Sequence, residues 1–201
     1  MKLAFFTAAL LLAITPGPGI MYVLTRSMAG GRREGILSSF GTLVGGLVHV
    51  VAAALGISVV LATSAVAYQA VRWAGAAYLI FLGIRMIRTA GESDLESVTK
   101  ASGDPFRQGI VTEVLNPKTA LFFLSFIPQF VDRKAGGVFV QFVTLGTISV
   151  ILNSGADVLV AMLAGPLGEK VLASKRARRN QRRASGVLMV GLGAFVLARD
   201  N

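Results

Sequence analysis

The sequence predicts an all-α integral membrane fold of six transmembrane helices, built as two inverted three-helix repeats with helices 1 and 4 interrupted. Three observations carry this: a deficit of charge, a series of long apolar runs, and prolines placed 101 residues apart inside two of them. Of 201 residues, 54% are hydrophobic and 15% charged, and the mean hydropathy is +0.68. A soluble domain carries about 25% charged residues. A hydrocarbon core of about 30 Å takes about 20 helical residues to cross. Apolar runs occur at about 3–25, 36–62, 68–88, 109–131, 137–165 and 184–198, the last of only 15 residues.

The first run contains "LLAITPGPGIMYVL" (11–24), oily on both sides of Pro16-Gly17-Pro18-Gly19. Proline and glycine are the residues a helix tolerates least. The second run carries Gly41, Gly45, His49 and Gly56 on one face, a small-residue seam for close helix packing. After the third run, "GESDLESVTKASGDP" (91–105) is an acidic, Ser- and Gly-rich linker near the midpoint. The chain is read as one polytopic domain, 1–201, with repeats at about 1–90 and 106–201. An odd number of spans per half inverts the halves relative to each other. The fourth run is broken at "EVLNPKTALFF" (113–123). Pro16 and Pro117 correspond, and so do Arg32-Arg33 and Arg133-Lys134, each pair 101 residues apart. Interrupted helices at matched places in inverted repeats point to a transport site at the repeat interface. A break inside a bilayer is tolerated only where protein or a wet cavity satisfies the freed backbone groups.

The formal charge is +10, and its placement argues for a bilayer surface over nucleic acid. Fourteen of the 20 Lys and Arg follow spans 1, 3 and 5, among them Arg26, Arg32 and Arg33; five lie on the opposite side, including Arg72 and Lys134. This bias predicts both termini outside and the odd loops in the cytoplasm. The basic segment 170–183, containing "KRARRNQRR", is then expected to face anionic lipid as a loop. The N-terminal apolar run runs on past Pro16 without a small-x-small site, so it reads as a span and not a cleaved signal. The chain has no cysteine, which excludes thiol chemistry, cysteine-ligated metal and disulfides.

Ionisable groups inside spans cost about 2.5 to 3.5 kcal/mol on insertion scales, so each raises a functional question. Lys118 either binds a substrate carboxylate or neutralises Glu113 across the break. The half-helix starts near Gly17–Gly19 and Lys118 would present N–H groups and a positive dipole end, a seat for a carboxylate. Glu113 is the candidate proton carrier, or else an interfacial residue. Asn153 and Asp157, four apart in span 5, bind a substrate ammonium or a coupling proton, or simply bond neighbouring helices. His49 is either a satisfied interhelical hydrogen bond or a proton relay.

With these residues in view, the chain resembles the lysine-exporter (LysE) family of amino-acid translocators, in its homoserine/threonine-resistance (RhtB) branch. The matching pieces are "TPGPGIMYVLTRSMAGGRREG" (15–35), "GTLVGGLVH" (41–49), "RWAGAAYLIFLGIRMIR" (72–88) and "FRQGIVTEVLNPKTALFFLSFIPQFV" (106–131). The last two spans match in hydrophobic character alone. The resemblance implies export of amino acids across the bacterial inner membrane, driven by the proton gradient without a bound cofactor. It puts Pro16, Gly17, Pro18, Asn116, Pro117 and Lys118 on the family's signature motifs. Gly19 completes the first break. The expected partners are an amino acid and bilayer lipid; homodimerisation is left open. Two rival classes fit less well. An intramembrane serine protease would need more than Ser154-Gly155 and His49, and no G-x-S-x-G surrounds the serine. A metal or cation exporter could draw on Glu113, His49, Asn153 and Asp157, but no span pairs acids at ligand spacing and a buried lysine opposes a cation.

Overall fold

The computed structural model describes residues 2–15, 17–91, 103–132, 134–164 and 174–198. Its regular elements are α1 (Lys2–Ile14), α2 (Pro18–Thr63), α3 (Ala65–Arg88), α4 (Pro105–Val114), α5 (Pro117–Leu121), α6 (Val138–Leu163) and α7 (Lys175–Ala198). Between α5 and α6 the helix continues as a π turn (Phe122–Phe126) and a 3-10 turn (Ile127–Phe130). Pro16, most of the acidic linker, Arg133, Lys170 and Arg199 lie outside the described residues.

Sequence chemistry explains the helix ends. Asp104 accepts from Phe106 N–H at 2.9 Å ahead of Pro105, and Asn116 accepts from Lys118 N–H at 3.1 Å ahead of Pro117. Each is an N-cap followed by a proline at the first helical position, where no N–H is needed. Pro128 has no N–H to return to the preceding turn, which fits the change of helix type there. Inside α2, Gly31 has φ 76° and ψ −175°, outside helical space and accessible without cost only to glycine. In a straight helix, residues eight apart are separated by about 12 Å. Here Arg26 meets Glu34 at 3.2 Å, and a Cβ on Gly35 would strike the Ser27 hydroxyl. The chain therefore turns sharply at Gly31, between the expected first and second spans.

Three helices are long and apolar enough to cross a membrane, within Pro18–Gly56, Val66–Arg88 and Val138–Leu163. The pair Pro105–Val114 and Pro117–Phe130, bent by 46°, is a fourth candidate where the two halves count as one span. The last apolar run does not stand alone as expected: "KRARRNQRR" is helical and forms the first turns of α7, not a loop. The apolar part of α7 is only about 22 Å long at 1.5 Å per residue, short of a hydrocarbon core.

Polarity is distributed inside out. Leu3 is 81% exposed, and Val66, Trp73, Leu115 and Val140 also face outward, while Arg26, Arg72, Glu113, Lys118 and Asp157 are buried. That arrangement suits a hydrocarbon solvent. Hydroxyls at Thr7, Thr25, Ser27, Ser38, Ser39 and Ser149 each bond the carbonyl four residues back, so they need no outside partner. α2 packs along α4 and α6, α3 along α7, and α1 against α6. α3 and α7 meet at Gly83 and Gly186, where a Cβ on either would lie 2.5 Å from the other's carbonyl oxygen.

Two arginines counted as flanking charges are interior instead. Arg26 is 1% exposed; it bonds Tyr22 Oη at 3.3 Å, Glu34 Oε2 at 3.2 Å and Gln108 Oε1 at 3.3 Å, and also the Gly103 carbonyl. Arg72 donates to the Val196 carbonyl at 3.1 and 2.7 Å, satisfying the C-terminal end of α7. One comes from each side of the membrane tally, so the direction of the charge bias is unchanged. Arg26 ties the start of α2 to the start of α4, aided by Tyr22 Oη on the Pro105 carbonyl at 2.8 Å. Arg26→Ala is expected to cost about 3 kcal/mol, as removal of one member of a buried charged network does. Arg26→Lys should not restore it, because an ammonium lacks the planar fork that reaches several acceptors together. Thermal unfolding in detergent checks both; a wild-type midpoint in Arg26→Ala would refute the network's role.

Candidate functional site

The two breaks meet. α1 ends at Ile14 and α2 begins at Pro18; α4 ends at Val114 and α5 begins at Pro117. A Cβ on Gly17 would lie 3.1 Å from Lys118 Cδ, and a Cβ on Gly19 would lie 2.5 Å from Glu113 Oε2. Glycine at both positions is what lets the second break approach the first.

Lys118 is 7% exposed and donates to the carbonyls of Leu12 at 3.1 Å and Thr15 at 2.7 Å. The Leu12 carbonyl, in the last turn of α1, also accepts the Thr15 N–H at 3.1 Å, and the Thr15 carbonyl follows just past the helix end; a cation there meets the negative end of the helix dipole. Lys118 makes no direct ion pair with Glu113 among the described residues. The expected neutralisation across the break is thus not a contact; the cation instead fastens the end of α1. Glu113 is 3% exposed and fully provided for: Thr119 Oγ1 donates to Oε1 at 2.5 Å and Asn116 Nδ2 to Oε2 at 3.1 Å. It faces the protein interior. Asn116 serves both sides of the second break, capping α5 with its oxygen and holding Glu113 of α4 with its nitrogen.

His49 Nε2 donates to the Glu113 carbonyl at 2.9 Å and its ring stacks on Phe123 with centroids 6.5 Å apart. The expected interhelical hydrogen bond is present. The seam beneath it is formed by Gly41 and Gly45, where a Cβ would strike the Phe106 carbonyl and lie 2.8 Å from the Ile110 carbonyl respectively. Gly56, expected on the same seam, has open space at its Cβ position. The reason is that α4 stops at Val114, too early to reach it.

Asp157 is fully buried, accepts from Thr42 Oγ1 at 2.8 Å on Oδ2, and has no partner on Oδ1 among the described residues. Asn153, one turn earlier, lines a cavity of about 20 Å³ together with Thr42, Ser149, Glu113 and Thr119. That is room for about one water and not for an amino acid. Gly17 and Lys118 adjoin this cavity's wall at Leu12 but do not line it, because the Lys118 ammonium is turned to the α1 carbonyls. Thr42 and Thr119 escaped the sequence reading. The available signal was a hydroxyl in an apolar run, which alone cannot be told from a residue bonded to its own helix.

No group of three or more His, Asp or Glu converges as a metal site among the described residues. Of the four residues considered for a cation exporter, His49 and Glu113 are taken up by hydrogen bonds to each other and to Thr119 and Asn116.

The chain matches the model of the LysE type translocator family over residues 10–200. It belongs to that family. Among relatives of this LysE-type chain, a homoserine/homoserine lactone efflux protein of Salmonella typhimurium is 29% identical over 195 residues, covering 96% of this chain and 94% of the relative. A leucine efflux protein of Salmonella choleraesuis is 29% identical over 153 residues, 74% of this chain and 72% of its own length. An uncharacterized membrane protein of Vibrio cholerae is 26% identical over 196 residues, 96% and 95% of the two lengths. These relatives accord with the homoserine/threonine-resistance branch. No solved structure matches the chain.

Proposed function

We propose that this protein is a secondary active exporter of amino acids or close derivatives from the bacterial cytoplasm, driven by the proton gradient across the inner membrane. The observation that carries the reading is the meeting of two broken helices around buried Lys118 and Glu113. Homoserine and leucine, named for the relatives, share a zwitterionic main chain and differ in side chain; the homoserine lactone of the first name keeps the ammonium and carries an ester carbonyl in place of the carboxylate. The α-ammonium and a carbonyl oxygen beside it are common to all three, and a site with a lysine donor and a buried carboxyl can recognise them. An ammonium has three donors; two of those on Lys118 go to carbonyls, and the third is offered to a substrate carboxylate. A cavity this small requires the bundle to open before a substrate enters.

The same proposal includes the architecture. The turn at Gly31 separates a first crossing (α1 with the start of α2) from a second, and the bent α4–α5 pair is its counterpart in the other half. Six crossings then form one domain of two inverted repeats with both termini outside, and the exposed Arg176, Arg179 and Arg183 of α7 lie against anionic lipid.

An efflux screen of cells preloaded with single amino acids tests the function. Leucine, homoserine or a near relative should leave faster than from cells lacking the protein, and a flat screen would sink the reading. Since the chain has no cysteine, one cysteine added after Asn201 tests the topology without background. An outward terminus reacts with an impermeant maleimide in intact cells, and protection there would overturn the six-crossing arrangement.

A further inference from the structure

We propose that Asp157 is the exchange site of the transporter, where one carboxyl takes either a proton or the ammonium of the substrate, never both. This rests on the export reading and adds its coupling chemistry. Asp157 lies about three-quarters of the way along α6, fully buried, with Oδ1 unpartnered among the described residues. A buried carboxylate oxygen without a hydrogen-bond partner is costly. An acid used only to bond a neighbouring helix would have no reason to leave that atom open. A proton or an ammonium is what completes it.

Its single partner is equally suited to a change of state. Thr42 Oγ1 has one hydrogen but two acceptors in reach, Asp157 Oδ2 at 2.8 Å and the Ser39 carbonyl at 2.9 Å. It can serve the charged carboxylate and fall back on its own helix when the carboxyl is protonated. Glu113 has no such freedom, because both of its oxygens already hold donors from Thr119 and Asn116. The geometry thus moves the proton-carrying role from Glu113, where the sequence suggested it, to Asp157. The charges acting on Asp157 are Glu113 from α4 and Lys118 from α5. From α2 the facing group is Thr42, with His49 further along and held by the Glu113 carbonyl. Asn153, one turn from Asp157, and Thr42, its hydrogen-bond partner, line the cavity that Glu113 and Thr119 close from the other side; Asp157 itself lies behind Thr42, so an ammonium reaches it only once the bundle opens.

The step balances. Facing the cytoplasm, the Asp157 carboxyl releases its proton to water and the carboxylate pairs with the substrate ammonium. Facing outward, the carboxylate takes a proton and the ammonium leaves with the substrate. Each zwitterion exported admits one proton, so the cycle carries one positive charge inward and responds to membrane potential as well as to pH.

The test uses the full-length protein in detergent and in proteoliposomes, with labelled leucine and labelled homoserine as probes. With wild type, the apparent Kd should rise as pH falls, approaching tenfold per pH unit where the proton competes fully. Asp157→Asn should bind at least tenfold more weakly, without that pH dependence, and lose gradient-driven efflux; Asp157→Glu should keep the pH dependence. A pH-independent Kd in wild type overturns the proposal, whether or not the variant folds. Asp157→Asn with wild-type binding that still exchanges one amino acid for another overturns the shared site, leaving a carboxyl that carries the proton alone. Asp157→Asn that keeps gradient-driven efflux overturns it outright. If wild-type proteoliposomes move no amino acid under any gradient, the export reading itself fails, an outcome distinct from all of these.

Discussion

Lys118→Ala is expected to reduce amino-acid efflux to the level of membranes lacking the protein while the chain still inserts. The ammonium satisfies the Leu12 and Thr15 carbonyls at the end of α1, and no water is at hand in a bilayer to replace it. The Thr15 carbonyl would be uncovered and the Leu12 carbonyl left with the Thr15 N–H alone, which predicts a loss of about 1–3 kcal/mol, enough to loosen α1 from the second break without unfolding the bundle. The double variant Lys118→Ala with Glu113→Gln separates two roles. If the pair existed to neutralise itself, removing both charges would be close to neutral and transport would return. Because Lys118 bonds carbonyls and Glu113 bonds Thr119 and Asn116, the double variant should stay inactive. Labelled amino-acid efflux from inverted and right-side-out vesicles, beside size-exclusion profiles, is the measurement. Full activity in Lys118→Ala would defeat the assignment.

The second large effect is at the α2–α4 seam. Gly45→Val should abolish the monodisperse folded protein. Even a Cβ at this position would lie 2.7 Å from Glu113 Cβ and 2.8 Å from the Ile110 carbonyl, and backbone cannot step aside as a side chain does. Overpacking costs about 1–3 kcal/mol and occasionally more; contact with backbone puts this site at the upper end. It would also push Glu113 away from Gly19 and the first break. Gly56→Val, where the Cβ meets nothing within 4 Å, is the matched control and should behave as wild type. Equal solubility and melting of the two variants would show that the seam is not close-packed.

The membrane class and both helix breaks were legible without coordinates, and so were the acid, the lysine and the histidine near them. These are local facts. A proline lacks an N–H wherever it falls, Asn-Pro is a capped helix start in any context, and an apolar run of this length has few other uses. The family resemblance was legible for the same reason, since its motifs are these breaks. The family match then bore it out.

What each polar group bonds was decided only by the packing. Lys118 turned to carbonyls and not to Glu113, Arg26 and Arg72 went inside, Gly56 fell off the seam, and the basic run became the first turns of α7. Partner choice depends on distances between residues 64 to 124 positions apart, such as His49 with Glu113, Thr42 with Asp157, Leu12 with Lys118 or Arg72 with Val196. No periodicity within one helix encodes those distances; they follow from how closely glycine allows two helices to approach. The chain's composition and its breaks determined that a polar site must exist in the membrane, and the tertiary structure alone determined which carboxyl within it is left open.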